Sequence, residues 1–351
     1  MKKMRILLVS PLPPPTGGIT TWTSEYLKEM CARDYEVSIV NSSVIGNRIS
    51  VNSRINYFDE LKRIIHIRSG IKKVIKTGAV DVIHYNASCF TAGLLRDALV
   101  LRGIKKQVPI VYQCHCNLET NIHSRLATFL FKLVLKSVNR VLVLNKLSQE
   151  FACQLYPSVE KVPNFISDAI IKDKECTADF KNIIFVGRVD ERKGIAELLA
   201  AFKEKPALNL HIVGPDSSGY LKDVCESNII KHGELNHDKT IEIMSDMDAL
   251  ILPSYSEGFP LVILEAMAVG LPVIATDVGS VKEMIEDKGG VLIRPRQVGD
   301  IVEAIKSIYP IEVRTKMSKF NIRKVKECYT CSCVLNRLVE IYKQVIGETQ
   351  K

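Results

Sequence analysis

The sequence has no long apolar segment. Its first apolar run, residues 6–9, ends after four residues at Ser10 and Pro11, whereas the apolar core of a secretion signal needs about 7–15 residues. No other segment approaches the roughly 20 apolar residues that cross a bilayer. We therefore expect neither a secretion signal nor a transmembrane helix, and we expect a cytoplasmic protein.

Aromatic side chains and nucleotide-binding fingerprints are also scarce. Aromatic residues make up only 7% of the 351 residues, with a single tryptophan. No module typical of nucleic-acid recognition is visible, so nucleic acid is not an expected partner. The chain contains neither the G-x-G-x-x-G pattern nor a P-loop. These absences argue against a nicotinamide enzyme and against a kinase.

Cysteine is plentiful, but its spacing does not predict a metal site. Two of the ten cysteines flank His115, and three lie between residues 328 and 333. A zinc site would need a fourth ligand at matching spacing, and none lies nearby. In a reducing compartment we expect these cysteines to be free thiols.

Charge is distributed unevenly along the chain. The net charge is +9, but residues 1–163 hold 23 basic and 11 acidic side chains, while residues 164–351 hold 25 and 28. The first half is therefore expected to face an anionic partner. Between Arg54 and Lys76, basic residues alternate with aliphatic ones, which is typical of an amphipathic helix on an anionic membrane surface. An ordinary solvated helix face gives the same pattern.

The order of predicted elements indicates an α/β fold. Short β-branched runs alternate with helical periodicity, which predicts parallel sheets with right-handed crossovers. Two sets of six strands favour two doubly wound, Rossmann-like domains. The predicted strands are Arg5–Ser10, Glu36–Asn41, Val80–Tyr85, Pro109–His115, Arg140–Asn145, Glu160–Pro163, Asn182–Gly187, Leu208–Gly214, Ile229–Gly233, Ala249–Pro253, Pro272–Ala275 and Gly290–Ile293.

These elements predict the domain organisation. We expect a first domain over residues 1–163, a second over 164–330, and a C-terminal helix over 331–351 that packs back on the first domain. Ligands of open α/β sheets bind beyond the carboxyl ends of the strands. With two such domains, we expect the site in a cleft between the two sheets.

A glycine pair follows the first strand. A proline-rich loop leads to Gly17 and Gly18, and a helical pattern begins directly after them. The glycines allow a ligand to approach the backbone closely, and a helix N-terminus favours an anion. An ordinary turn-rich loop is the alternative interpretation.

A cationic loop opens the second half. Gly187 ends a predicted strand, and Arg188 and Lys193 follow it before Gly194. A guanidinium fork and an ammonium at the end of a strand suit a diphosphate. The alternative is a solvated charged loop.

The segment from Pro253 to Ala268 is the most informative. A buried strand ends, a polar loop carries Glu257, and Pro260 begins an apolar helix that contains Glu265. A buried carboxylate needs a strong partner, and the N-terminus of such a helix can hold a phosphate. Spacing alone also allows a surface loop and a helix glutamate paired with lysine.

Two of these segments match the sequence motifs of a known protein family. Glu257 and Glu265 form an E-x7-E motif, and residues 187–194 read Gly-Arg-x4-Lys-Gly. The chain resembles the retaining glycosyltransferases of family 4, which have the GT-B fold. The resemblance covers nearly the whole chain and is most specific in the second half. It implies a nucleotide-sugar donor, with UDP as the default nucleotide, and no resident cofactor.

The resemblance implies a role for each matching residue. Arg188 and Lys193 would neutralise the departing diphosphate, and Glu257 would contact sugar hydroxyls. His115 would lie near the transferred sugar and complete the catalytic set, while Glu265 would accept hydrogen bonds from the ribose. The implied donor-binding residues are Gly17, Gly18, Gly187, Gly214, Glu234, Leu235, Gly258, Phe259, Leu261 and Glu265.

No metal ion is expected in this chemistry. Fixed cations can stabilise the charge that develops on a departing diphosphate. Asp246-Met247-Asp248 resembles the metal-binding D-x-D of another transferase fold, but it falls at a helix-to-strand junction. We expect retention through an internal-return mechanism in which the phosphate helps to deprotonate the acceptor. Glu257 as a covalent nucleophile is the alternative.

The expected function is therefore retaining transfer of a sugar to a hydroxyl of a glycan acceptor. The basic first half favours a lipid-linked acceptor, cell-surface polysaccharide or lipopolysaccharide synthesis, and peripheral association with the inner face of the cytoplasmic membrane. Two alternatives remain: a nucleotide-sugar epimerase or hydrolase with the GT-B fold, and a sugar-nucleotide-binding protein without catalysis.

Overall fold

The computed structural model describes residues 3–14, 17–44, 57–78, 80–205 and 207–349. It divides into two compact units, one formed by Met1–Asn164 with Val334–Lys351 and the other by Phe165–Cys333. Pro15 and Thr16 of the first loop and Arg54 of the predicted amphipathic stretch lie outside the described residues. Among the helices that are described, none has both the length and the apolar character needed to cross a membrane.

The first unit alternates strands and helices. Its strands are β1 (Arg5–Ser10), β2 (Glu36–Asn41), β3 (Val82–Ala87), β4 (Ile110–Cys114), β5 (Arg140–Val143) and β6 (Val159–Lys161). Its helices before residue 164 are α1 (Gly18–Ala32), α2 (Tyr57–Lys76), α3 (Thr91–Leu101), α4 (Leu118–Asn121), α5 (Arg125–Lys136) and α6 (Lys146–Cys153).

The described strands of this unit form one six-stranded parallel sheet. The order is β2-β1-β3-β4-β5-β6, and the register aligns Leu8 of β1 with Ile39 of β2 and with His84 of β3. Strands β3 and β4 are buried throughout, because helices cover both faces of a sheet of this type.

The second unit repeats this pattern. Its strands are β7 (Asn182–Val186), β8 (Asn209–Val213), β9 (Ile229–Gly233), β10 (Ala249–Leu252), β11 (Val273–Thr276) and β12 (Gly290–Ile293). Its helices are α7 (Ile195–Lys203), α8 (His237–Ser245), α9 (Leu261–Ala268), α10 (Val281–Ile285), α11 (Val298–Ser307) and α12 (Ile311–Cys328), with short 3-10 turns at Asp168–Ile170 and Glu191–Lys193.

The second sheet is also parallel. In the described residues its six strands take the order β12-β11-β10-β7-β8-β9. The chain starts in the middle of this sheet at β7, builds outward on one side and then returns to the other. The predicted pair of doubly wound α/β sheets is confirmed.

The predicted strands all form, and the differences at their ends have local causes. Strand β3 begins at Val82 rather than at Val80, because Asp81 accepts hydrogen bonds from the backbone and the guanidinium of Arg5. Strand β5 ends at Val143, because the Asn145 side chain accepts the Ser148 N–H at 2.8 Å and begins α6.

The last helix, α13 (Cys331–Thr349), lies mostly in the first unit. The Tyr342 hydroxyl is 2.5 Å from Nδ1 of His84 on β3. At the edge strand β6, Glu160 accepts hydrogen bonds from Arg337 of this helix and from Arg140 of β5. These contacts attach the C-terminal helix to the sheet of the first unit.

Candidate active site

Glycine residues, which have no side chain, line the carboxyl end of the second sheet. Gly214 follows β8 with φ of +142°, and a Cβ at this position would lie 1.9 Å from the carbonyl oxygen of Gly187, which follows β7. The Gly214 N–H donates to the carbonyl of Gly233, at the end of β9, at 2.8 Å. Two of the predicted donor-binding residues, Gly187 and Gly214, are therefore packed directly against each other.

The cationic loop is held against the start of the motif loop. The Asp190 side chain accepts the Lys193 N–H at 3.2 Å and begins the short turn there. Gly194 follows with φ of +68°, and its missing Cβ leaves room for the carbonyl of Pro253, which would otherwise lie 2.2 Å away. The Tyr255 N–H donates to the Arg192 carbonyl at 2.8 Å.

This packing brings the two predicted motifs together. Nζ of Lys193 donates a hydrogen bond of 2.5 Å to Oε1 of Glu257, and both side chains are mostly buried. Arg188 differs, because its side chain is 62% exposed and lies 3.6 Å from Asp190. Both cations therefore have a carboxylate partner, but Lys193 is tightly paired and mostly buried, whereas Arg188 is loosely paired and mostly exposed.

The loop after Glu257 is anchored by its backbone. The Gly258 carbonyl accepts hydrogen bonds from the N–H and the hydroxyl of Ser280, at 3.1 and 2.7 Å. Phe259 is buried, and its ring packs edge-on against Tyr329. Pro260 immediately precedes α9, and Leu261 is the first residue of the helix, one residue later than predicted.

Glu265 has the strong partner that its burial requires. It is 8% exposed, and its Oε1 lies 3.0 Å from Nε2 of His237, the first residue of α8. Glu234 and Leu235 lie in the loop between β9 and α8, one exposed and the other partly buried. The sequence showed that a partner was needed, but nothing in the pattern singled out His237.

Tyr255 is a second residue that the sequence analysis missed. Its hydroxyl donates a 2.6 Å hydrogen bond to Glu197 of α7, and the guanidinium of Arg296 lies 4.6 Å from the centre of its ring. Burial, reinforced by the Glu197 carboxylate, raises the pKa of Tyr255 to about 12. Tyr255 therefore ties the motif loop to α7.

The D-x-D sequence lies at the other end of the sheet. Oδ2 of Asp248 accepts the N–H groups of Lys181 and Asn182, at 2.9 and 2.8 Å, and so anchors the amino end of β7. Across the described residues, no three or more His, Cys, Asp or Glu side chains are grouped to hold a metal ion. All ten cysteines lie in the described residues, and none of them is in a disulfide there.

In the first unit, His115 directly follows β4. Its Nε2 lies 2.9 Å from Oδ1 of Asn86, and its ring packs edge-on against Trp22 at 5.4 Å between centres. Burial, with a smaller effect from the neighbouring His84, lowers the pKa of His115 to about 3. The ring is therefore neutral at physiological pH.

Gly17 and Gly18 begin α1. The Gly17 N–H donates to Oγ1 of Thr20, and the Thr20 hydroxyl donates back to the Gly17 carbonyl, at 2.8 and 2.9 Å. A Cβ placed on either glycine would meet nothing within 4 Å among the described residues. Among the described residues, no side chain therefore covers the backbone of these two glycines.

The fold is shared with solved structures, among them a glycosyltransferase from Rickettsia africae, with a TM-score of 0.75 and 19% identity over 99% of each chain. Over 97% of this chain and all of the other, it is similar to HepE of Anabaena, crystallised in complex with UDP, with a TM-score of 0.74 and 16% identity. At that identity the likeness concerns the fold alone. The protein therefore has the GT-B fold.

Sequence relationships then place the chain in a family. Residues 167–324 match the family Glycosyl transferases group 1, and residues 16–169 match Glycosyltransferase Family 4. The chain is a glycosyltransferase of the GT4 type.

Two relatives illustrate the relationship. The chain is 26% identical over 297 residues to an uncharacterized 41.2 kDa protein in the cps region of Klebsiella pneumoniae, covering 78% of this chain and 81% of that one. It is also 26% identical to the putative teichuronic acid biosynthesis glycosyltransferase TuaC of Bacillus subtilis, over 68% of this chain and 64% of that protein.

Proposed function

We propose that the protein is a retaining, metal-independent transferase that moves a sugar from a UDP-sugar to a hydroxyl of a lipid-linked glycan during assembly of a cell-surface polysaccharide or lipopolysaccharide. The observation that carries the proposal is the Lys193–Glu257 pair beside exposed Arg188 at the carboxyl end of the second sheet. Glu265 lies in the following helix with its carboxylate held by His237.

The proposed chemistry assigns one task to each group. Lys193 and Arg188 stabilise the negative charge that develops on the diphosphate as it leaves, without reorganisation at that moment. Glu257 orients the sugar through its hydroxyls, and Glu265 accepts the ribose hydroxyls. The anomeric carbon loses its bond to the diphosphate oxygen and gains a bond to the acceptor oxygen on the same face. The acceptor's proton passes to the departing phosphate.

The choice of UDP and of a surface polysaccharide comes from the relatives. HepE was crystallised with UDP, TuaC is assigned to teichuronic acid biosynthesis, and the Klebsiella protein is encoded in a cps region. These are properties of those proteins, and they favour the same classes of donor and product here.

The donor is tested first by thermal shift. UDP, GDP, ADP and their common sugar conjugates are each added in excess, since a ligand that binds the folded state raises the apparent Tm. We expect UDP and one or more UDP-sugars to raise it. A response confined to GDP or ADP compounds would contradict the UDP assignment while leaving the transferase proposal intact.

Turnover then separates the alternatives. The protein is incubated with the responding sugar nucleotide in the presence of EDTA, with and without a lipid-linked glycan extracted from membranes. Release of nucleoside diphosphate that depends on the acceptor supports the proposal, and an axial-to-axial or equatorial-to-equatorial product confirms retention. Acceptor-independent turnover supports an epimerase or hydrolase, and binding without turnover supports a non-catalytic protein.

Membrane association is proposed from an apolar surface on the first unit. Helix α3 packs against both α2 and α5, and all three expose large apolar side chains. Tyr57 and Phe58 are 85% and 77% exposed, far more than side chains of a packed face. The other large apolar side chains exposed on these three helices are Leu61 and Ile65 on α2, Leu95 and Leu99 on α3, and Leu126 and Phe129 on α5.

Exposed lysines give this surface its charge. Lys62, Lys72, Lys73 and Lys76 of α2 point to solvent. Arg63 and Arg68 of the same predicted cationic face instead bond internally, Arg63 to the Ser42 carbonyl and Arg68 to carbonyls at the end of α3. An apolar surface bordered by lysines is complementary to an anionic bilayer, where apolar side chains insert and ammonium groups meet phosphates.

Vesicle binding tests this surface. Reversing Lys72, Lys73 and Lys76 to Glu should lower partitioning onto phosphatidylglycerol-containing vesicles by about 100-fold or more, since each basic residue near such a surface contributes about 1 kcal/mol. The matched control carries the same charge change at exposed positions of the second unit, Lys288, Lys316 and Lys319, and should bind normally. Unchanged sedimentation of the α2 variant would overturn the membrane proposal.

A further inference from the structure

One face of the first sheet carries polar side chains in its buried interior. Ser10 of β1, His84 and Asn86 of β3 and Gln113 of β4 are each at most 3% exposed. Residues two apart on a strand point to the same face, so His84 and Asn86 lie side by side. Buried polar groups are costly unless they are hydrogen-bonded.

Most of these groups form a continuous chain of hydrogen bonds that ends at His115. The Tyr342 hydroxyl lies 3.0 Å from the Tyr26 hydroxyl and 2.5 Å from Nδ1 of His84. Nε2 of His84 lies 3.0 Å from Oδ1 of Asn86. The same Oδ1 lies 2.9 Å from Nε2 of His115. The C-terminal helix is therefore linked to His115 through two buried side chains.

The hydroxyl groups at the other side of Asn86 determine which way its amide points. The Thr23 hydroxyl donates to the Ile19 carbonyl at 2.7 Å, so in the 2.6 Å contact between Ser10 and Thr23 the Ser10 hydroxyl must be the donor. Ser10 then has only lone pairs to offer Asn86, so Nδ2 of Asn86 donates to it at 2.9 Å. Oδ1 consequently faces the two histidines as an acceptor.

This orientation determines the proton on each imidazole. Burial lowers the pKa of His84 to about 4 and that of His115 to about 3, so each ring carries one N–H. Because both Nε2 atoms face an acceptor, both carry the hydrogen. Nδ1 of His84 then accepts from the Tyr342 hydroxyl, which in turn accepts from Tyr26. Nδ1 of His115 is left with a lone pair.

We propose that Asn86 is a positioning residue that holds His115 as the neutral Nε2–H tautomer, so that Nδ1 accepts a hydrogen bond from a hydroxyl of the transferred sugar. Tyr342 of the C-terminal helix supports this arrangement by donating to Nδ1 of His84, whose Nε2–H points at Asn86. The proposal rests on the proposed glycosyltransferase function and on the expectation, implied by the family resemblance, that His115 lies near the transferred sugar. A neutral ring suits this position, because the anomeric carbon gains positive charge as its bond to the leaving group breaks.

The tautomer is tested directly by NMR. In protein labelled with 15N-histidine, long-range 1H–15N spectra distinguish Nε2–H, Nδ1–H and imidazolium forms, and a His115→Gln variant assigns the His115 signals. We expect the Nε2–H form of His115 at every pH between 5 and 8. An imidazolium or a predominant Nδ1–H form in the wild-type protein would overturn the proposal.

Variants of Asn86 test whether this residue determines the tautomer of His115. Asn86→Ala should mix the two tautomers and lower kcat by about tenfold, the typical effect of one lost hydrogen bond, with a smaller change in donor KM. Asn86→Asp keeps an acceptor, so at high pH it should retain the Nε2–H form and recover most of kcat. Its carboxylate should also raise the pKa of His115, so its activity should fall on acidification, whereas wild-type activity should not fall for this reason.

Tyr342→Phe tests the link to the C-terminal helix. It keeps the ring and removes only the donor to Nδ1 of His84, so His84 should keep the Nε2–H form while its Nδ1 signal shifts to that of a lone pair without this hydrogen bond. Tyr309→Phe, at an exposed tyrosine of the second unit, is the matched control and should leave all His84 and His115 signals unchanged. Identical spectra for Tyr342→Phe and wild type would contradict the role of Tyr342.

The two proposals fail in different ways. The tautomer measurement needs no substrate, so an unperturbed His115 in Asn86→Ala would overturn the positioning role even in an active transferase. Absence of sugar transfer with every donor and acceptor would count against the proposed function. The NMR spectra would still show whether Asn86 determines the tautomer of His115.

Discussion

Lys193 and Glu257 are 64 residues apart in sequence, and Nζ of the first lies 2.5 Å from Oε1 of the second. The pair has an energetic consequence for a ligand that carries a diphosphate. The ammonium attracts such a ligand, whereas the neighbouring carboxylate repels it. In the proposed site, the diphosphate of a donor and the Glu257 carboxylate would therefore compete for the Lys193 ammonium. This competition would weaken nucleotide binding, while Glu257 would orient the donor sugar.

Glu257→Gln should consequently change binding and turnover in opposite directions. Removing the negative charge frees Lys193, so the affinity for UDP should rise by a few-fold to about tenfold. Turnover should fall by about 100-fold or more, since an oriented polar contact to the reacting sugar is lost. Isothermal titration with UDP and a coupled diphosphate-release assay measure the two effects. Weaker UDP binding would contradict the proposed balance.

Lys193→Ala should lower both the catalytic efficiency and the free energy of unfolding. Loss of the cation removes stabilisation of the departing diphosphate, so kcat/KM should fall by about 100-fold or more. The free energy of unfolding should fall by about 1–3 kcal/mol, because the mostly buried Glu257 carboxylate loses its hydrogen bond to Lys193. Urea unfolding and steady-state kinetics give both numbers. Near-normal turnover in a folded variant would refute the assigned role.

His237 should act through Glu265. His237→Ala removes the 3.0 Å contact to the buried carboxylate, and donor affinity should fall by about five- to tenfold, as expected for a lost hydrogen bond to a charged group. His237→Gln retains a donor and is the matched control, with affinity close to wild type. Equal affinity in all three proteins would show that Glu265 does not depend on His237.

Gly214→Ala should be strongly destabilising. The residue has φ of +142°, and the new Cβ would lie 1.9 Å from the Gly187 carbonyl oxygen. Strain and clash together should cost about 3 kcal/mol or more. Gly299→Ala, where a Cβ meets nothing within 4 Å in the described structure, should be neutral or stabilise by up to about 1 kcal/mol. Thermal and urea unfolding compare the two variants.

Acid should weaken the first unit through its buried histidines. The folded pKa values of about 4 for His84 and about 3 for His115 lie below the ordinary value of 6.5. The unfolded chain therefore binds protons first, and the free energy of unfolding should fall as pH drops from 6.5 toward 4. The slope is about 1.4 kcal/mol per pH unit for each histidine. His84→Gln should remove the contribution of one histidine, about 1.4 kcal/mol per pH unit, from this slope. Urea unfolding at several pH values measures the change.

Much of the fold was predictable because its signals are local. Runs such as Ala249–Leu252 are buried on both sides of a parallel sheet, and continuous apolar runs predict such strands. Alternation with helical segments predicts parallel order, and parallel order brings strand ends to one edge. The E-x7-E and Gly-Arg-x4-Lys-Gly segments could therefore be expected near each other before their distance was known.

Side-chain partners were much less predictable. The basic residues between Arg54 and Lys76 predict one or two amphipathic helices with cationic faces. In the structure, Arg63 and Arg68 bond inward, while Lys72 and Lys73 are exposed. Helical periodicity places a residue on a side of the helix, and it does not show which neighbouring carbonyl a long side chain can reach. The boundary between packed and exposed positions depends on α3, which packs beside α2.

By itself, the sequence determined two doubly wound α/β domains and the residues at their strand ends, because burial patterns and turn chemistry act over a few residues. Only the tertiary structure decided that Lys193 pairs with Glu257, that His237 holds Glu265, and that Tyr342 reaches His84. Each of these pairs joins distant segments. A buried polar group must find a partner of matching geometry, and that geometry exists only after the sheets and helices have packed.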